Sequence, residues 1–167
     1  MGKIVLAIVT LLSCISSFAQ KYSGSIKGKD LIGTWQANTE VIGDAMQENF
    51  HFFANGKYIY NFNGYDDVKR ILGVIGHYRF DGEQLFLTIE YRKEYTGGKL
   101  ISGSPGFQKS IFVLDSGEVQ MIKQKDIDPG DSYSIEVLEV SGQGEIKCIE
   151  IYRKKYYKIS FDPDKYK

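Results

Sequence analysis

The sequence predicts an all-β protein, an antiparallel up-and-down barrel of about eight to nine strands. Three observations point there. Tight-turn signals recur at Asn55-Gly56, Asp81-Gly82, Asp115-Ser116-Gly117 and Gly142-Gln143-Gly144, each flanked by β-forming residues. The 12 Tyr and 10 Phe, set among 18 Gly and only 3 Pro, suit pleated strands joined by short loops. No stretch carries the apolar spacing of an amphipathic helix of useful length. A meander this long has two exposed edges, and rolling it until its first and last strands meet removes both.

At 167 residues the chain is expected to form one domain, assigned to residues 30–167. Residues 1–19 read as a signal peptide. Lys3 is the basic start, Ile4 to Leu12 the apolar run, and Ser17-Phe18-Ala19 a small-x-small cleavage site before Gln20. The apolar run is short for a membrane span. Export to the periplasm or the outside is therefore expected, with residues 20–29 as a flexible lead-in. Leu11-Leu12-Ser13-Cys14 keeps an alternative open. It resembles the bacterial lipobox, in which Cys14 would be lipidated and anchor the chain to the envelope. Membrane attachment is expected only in that case.

Basic and acidic residues balance at 21 each, and losing Lys3 with the leader tips the mature chain slightly acidic. No basic patch for nucleic acid and no charged face for lipid stands out. Cys148 is the one cysteine beyond the cleavage site, so neither an internal disulfide nor a thiolate metal cage is expected. It reads as a small buried apolar residue. No metal or cofactor is expected, and the oligomeric state is left open.

Taken in order, Asp30 is placed to cap one helical turn leading into the first strand. That strand's inward set is Leu31, Gly33, Trp35 and Ala37, and Gly33 beside the only Trp points to a close backbone approach beneath its ring. Residues 50 to 62 form the clearest hairpin. A two-residue loop at Asn55-Gly56 pairs Phe53 with Tyr58 and His51 with Tyr60. A three-residue loop, Ala54 to Gly56 with Gly56 left-handed, pairs Phe52 with Tyr58 and Phe50 with Tyr60. The second is preferred, because it gathers Phe50, Phe52, Tyr58, Tyr60 and Phe62 on one apolar face and leaves His51, Lys57 and Asn61 to water.

A two-residue turn at Asp81-Gly82 then pairs Tyr78 with Leu85, Gly76 with Leu87 and Val74 with Ile89. Residues 96 to 106, rich in Gly and Ser, read as a mobile loop at a barrel mouth. A turn at Asp115-Ser116-Gly117 pairs Val113 with Val119 and Ile111 with Met121. After the Asp128-Pro129-Gly130-Asp131 turn, Tyr133, Ile135 and Val137 point inward. The strand after Gly144 sets Ile149 opposite Val137, Ile151 opposite Ile135 and Arg153 opposite Tyr133. Barrel closure either brings Arg153 over the Trp35 indole or leaves it in solvent at a strand end.

Gly33-x-Trp35 on the first strand with Arg153 on the last resembles the lipocalin signature, in which that Trp and a late basic residue close the barrel base. Phe52-x-x-Asn55-Gly56-x-Tyr58 and Gly76-x-Tyr78-x-x-Asp81-Gly82-x-x-Leu85 are similar to small bacterial lipocalin-like domains of secreted proteins. The resemblance covers residues 30 to 161 and implies a barrel whose base is closed by Gly33, Trp35 and Arg153. The Thr-Asp-Tyr loop motif and the C-terminal helix of true lipocalins have no counterpart in the sequence.

The function expected of such a barrel is binding. Inward Phe50, Phe52, Tyr58, Tyr60 and Phe62, together with Tyr78, Leu87, Tyr91, Ile111 and Met121, would wall a site for a small, mostly apolar molecule. The alternative is a non-enzymatic protein–protein interaction module of the cell envelope, docking through outward Phe53, Ile59, Phe86 and Phe112. No catalytic residue is named. His51 and His77 are the only imidazoles, both expected on outward faces, and no nucleophile stands at a motif spacing.

Overall fold

The computed structural model describes residues 26–41, 47–64, 70–81, 84–102, 112–125 and 131–165. The expected leader, Cys14 and most of the expected lead-in lie outside them. One helical turn, α1 (Gly28–Leu31), precedes β1 (Gly33–Ala37), β2 (Asn49–Phe52), β3 (Lys57–Asn61), β4 (Ile71–Asp81) and β5 (Gln84–Ser102). The chain continues through β6 (Phe112–Lys123), β7 (Asp131–Val140), β8 (Ile146–Ile151) and β9 (Lys154–Ser160). All pairings are antiparallel, in the order β4-β3-β2-β1-β9-β8-β7-β5, and β4 pairs β5 to close the ring. β6 is an extra strand. It pairs with β5 over Tyr91–Ser102, whereas β7 takes Gln84–Leu87 on the same side. The result is a closed eight-stranded up-and-down barrel, compatible with a lipocalin-like fold, in which first strand meets last.

The β2–β3 hairpin has the expected three-residue loop, with Phe52 opposite Tyr58 and Phe50 opposite Tyr60. Gly56 is left-handed at φ 80° and donates to Phe53 O at 3.1 Å, while Phe53 N–H donates to Lys57 O at 2.9 Å. Ile149 opposite Val137 and Ile151 opposite Ile135 also match expectation. In β4–β5 the turn is centred one residue later than expected: Asp81 pairs with Gln84, and Tyr78 with Leu87 rather than Leu85. That slip is two residues along the partner strand, so it leaves Leu85, Leu87 and Ile89 on the inner face.

Residues 96 to 102 belong to β5, and Asp115-Ser116-Gly117 lie within β6 rather than at a hairpin end. Val113 pairs with Ile101 and Met121 with Lys93. Left-handed residues oppose one another there, Gly97 (φ 70°) and Gly98 (φ 71°) on β5 and Ser116 (φ 61°) on β6. Because both strands bend at the same level the ladder continues, and turn-type residues produce a kink instead of a reversal.

The base of the barrel is sealed around Trp35, which is fully buried and donates Nε1–H to Leu31 O at 2.7 Å. The cation over its indole is Lys158, not Arg153. Lys158 Nζ lies 4.7 Å from the Trp35 ring centroid and 4.8 Å from that of Phe161, and donates to Asp30 O at 2.8 Å. Arg153 is exposed and forms, with Tyr152, the turn between β8 and β9, both residues left-handed at φ 62° and 50°. The expected single last strand is thus two strands, and Arg153 never reaches the core face. Gly33 does mark a close approach, although to β9: a Cβ there would lie 2.3 Å from Ser160 O.

Two further expectations are corrected at the surface. The fold begins within the supposed lead-in, since Ile26 is buried and Asp30, inside α1, reaches back to accept Lys27 N–H at 2.9 Å. His51 faces outward yet is fully buried, because the C-terminal segment lies over it. Its Nδ1 is 2.8 Å from Pro163 O and 3.2 Å from Thr34 Oγ1, and its Nε2 is 2.9 Å from Asn49 Oδ1. Cys148 is buried, in keeping with its apolar reading.

Candidate ligand cavity

Inward residues of opposing strands do not fill the barrel. A cavity of about 430 Å³ remains between its base and the β8–β9 turn. Phe50, Tyr58, Tyr60 and Phe62 give it an aromatic wall, and Val74, Leu87, Ile89 and Ile151 an aliphatic one. The rings pack on one another: Phe50 lies 4.3 Å from Tyr60 and 5.2 Å from Tyr156, and Tyr60 lies edge-on to Phe62 at 5.0 Å. Side chains locked this way hold a void open, because closing it would break ring contacts on several strands.

A polar cluster stands at the end nearest the β8–β9 turn. Glu48 is nearly buried, and its Oε1 accepts the Tyr156 hydroxyl at 3.0 Å and forms an ion pair with Lys154. Asp131 Oδ2 accepts the Tyr133 hydroxyl at 3.1 Å, and Tyr133 lies edge-on to Tyr152 at 6.0 Å. Burial pushes the Tyr58, Tyr60 and Tyr156 phenols well above their ordinary 10.0, and the Glu48 charge adds to this at Tyr60 and Tyr156. These hydroxyls therefore stay protonated and act as neutral donors. Among the described residues no group of three His, Cys, Asp or Glu is placed to hold a metal ion.

Comparison with family models, curated proteins and solved structures finds no match for this chain.

The cavity takes in Phe50, Tyr58, Tyr60, Phe62 and Leu87 from the residues expected to wall it. Phe52 and Tyr78 instead fill the barrel beneath it. They meet edge-on at 5.0 Å, and the Tyr78 hydroxyl donates to Phe53 O at 2.9 Å. Tyr91 is turned away by a bulge: Gly76 pairs with Ile89 but Ile75 with Tyr91, so Glu90 is an extra residue and the alternation reverses after it. Tyr91 then shares the outward row of His51, Ile59 and Ile75. The same bulge brings Arg92 opposite Val74, where it pairs with Glu94 at 3.7 Å. Met121 lies on β6, outside the ring, and is 47% exposed. Ile111 lies outside the described residues.

Glu48, Asp131, Lys154 and Tyr156 were not expected at the site, nor were Val74, Ile89, Tyr133, Ile151 and Tyr152. A signal for two of them was present. Glu48 precedes Phe50 by two and Lys154 precedes Tyr156 by two, so extending each strand's alternation by one step places both on the inner face.

Proposed function

We propose that the protein is an exported, lipocalin-like binding protein that holds a small, mostly apolar molecule inside its barrel. The observation that carries this reading is the cavity of about 430 Å³, walled by rings and aliphatic side chains with polar groups gathered at one end. An eight-stranded barrel has room either for its own side chains or for one small ligand, and this one leaves space. The leader pattern of residues 1–19 supports export, with mature chain beginning at Gln20, or at lipidated Cys14 in the anchored alternative. The role is binding rather than catalysis.

The test is titration with the apolar dye N-phenyl-1-naphthylamine. Saturable fluorescence enhancement at one dye per chain is expected. Val74→Phe, which puts a ring into the cavity, should weaken binding by about tenfold or more with folding checked by circular dichroism. Undiminished binding by that variant would place the dye elsewhere.

A second reading, association with another protein, is favoured by one observation. Val119 and Met121 are 48% and 47% exposed on the extra strand β6. The patch expected from the sequence is less available: Phe53, Ile59 and Phe86 are half-buried, and the Arg79 guanidinium lies 4.0 Å over the Phe86 ring. Light scattering of the wild type against Met121→Glu separates the readings, since only association through β6 predicts a mass that falls on substitution.

A further inference from the structure

We infer that the ligand this cavity is built for is an organic amine, an apolar body ending in one protonated nitrogen. The inference rests on the binding reading above and adds to it the sign of the ligand's charge. Among the described residues, the lining carries three charged side chains: Glu48, Asp131 and Lys154. Lys154 is held by Glu48 Oε1, so its charge is neutralised within the wall. Arg92, on the strand beside Val74, has its Nε 3.7 Å from Glu94 in an ion pair, although that buried nitrogen makes no hydrogen bond. The negative charge left over is that of Asp131, exposed at the cavity's polar end, while Glu48 is the nearly buried carboxylate there.

The hydrogen-bonding groups point the same way. A carboxylate ligand is best met by a charged donor, and the one cation of the lining, Lys154, is turned with Tyr156 to Glu48, as Tyr133 is to Asp131, while Tyr58 and Tyr60 offer only neutral hydroxyls. What the two carboxylates offer a newcomer is acceptor capacity. Each carboxylate has about four lone-pair directions over two oxygens, and the bonds above engage only one oxygen of each. Around Glu48 stand the rings of Phe50, Tyr60 and Tyr156, whose electron-rich faces attract a cation and repel an anion. An ammonium group entering at this end would meet a carboxylate and π-faces together, while its apolar body would lie against Val74, Ile89 and Ile151.

Calorimetric titration with a matched series, octylamine, octan-1-ol and octanoate, tests this at neutral pH. Octylamine is expected to bind tightest, about tenfold over octanol, the scale of one charge-assisted hydrogen bond, with octanoate weakest. Glu48→Gln should weaken octylamine by a similar factor, leave octanol within about twofold, and strengthen octanoate because Lys154 loses its partner. If Glu48→Gln does not fold, Lys154→Met carries the test: removing the cation should strengthen octylamine and leave octanol unchanged. Octanol equal to octylamine, or octanoate the tightest, would overturn the amine assignment while leaving the cavity as a binding site. Failure of all three compounds and of the naphthylamine dye would overturn the binding reading itself.

Discussion

Lys158 is the residue whose chemistry is most sharply constrained. Burial pulls its ammonium down to about 8 from the ordinary 10.5, against the opposing pull of Asp30 and Glu145. Between those values the unfolded chain holds a proton that the folded chain has lost, so stability rises with pH across that window. The buried tyrosines act in the opposite sense. Their folded-state values lie above the ordinary 10.0, so above that pH the unfolded chain releases protons the fold retains, and stability falls. Urea midpoints measured against pH should therefore climb above pH 8 and drop beyond pH 10.0. In Lys158→Met the climb should vanish and the drop remain. Gly33 offers a steric test at the same scale. Gly33→Ala puts a methyl 2.3 Å from Ser160 O at a φ of +129°, and should lower stability by roughly 2–3 kcal/mol, read as a shifted urea midpoint. Trp35 and Gly33 were legible from the sequence as the barrel's base; Lys158 was not. Arg153 sat at the expected distance along the chain, and nothing in residues 150–156 announces the turn that displaces it.

At the scale of elements, hairpins with Asn or Gly at their turns could be located, although the register at Asp81-Gly82 was missed, and the one without such residues could not. Asn55-Gly56 fixed a register that the structure reproduces pair by pair. The β8–β9 turn is made by Tyr152 and Arg153, residues that enter the left-handed region only at a cost. Arg153→Gly should accordingly stabilise the protein by roughly 1 kcal/mol, since the side chain is exposed and its φ of 62° suits glycine. A brace over Trp35 would instead predict destabilisation, and a urea midpoint decides between them. Asp115-Ser116-Gly117 failed in the other direction, carrying turn chemistry that the ribbon absorbs as a kink opposite Gly97-Gly98. The bulge at Glu90 was equally hidden. It depends on Gly76, where a Cβ would lie 1.7 Å from Thr88 O, and period-two counting carries no record of such an inserted residue.

For the whole molecule, closure of the sheet was legible because a long meander with apolar inner faces has few ways to protect its edges. The cavity was only half legible. Its aromatic wall comes from the β2–β3 hairpin, whose register was secure, whereas its polar end is assembled from Glu48 just before β2, Asp131 on β7 and Lys154 on β9, which only closure brings together. The proposed binding site is this interior, not the outer edge of β6. Two-dimensional amide NMR during titration with N-phenyl-1-naphthylamine tests that most directly. Saturable shifts should concentrate at Tyr58, Tyr60, Val74, Ile151 and Tyr156 and reach one plateau at a single equivalent. Shifts confined to β6 around Val119 and Met121, or none that saturate, would contradict it.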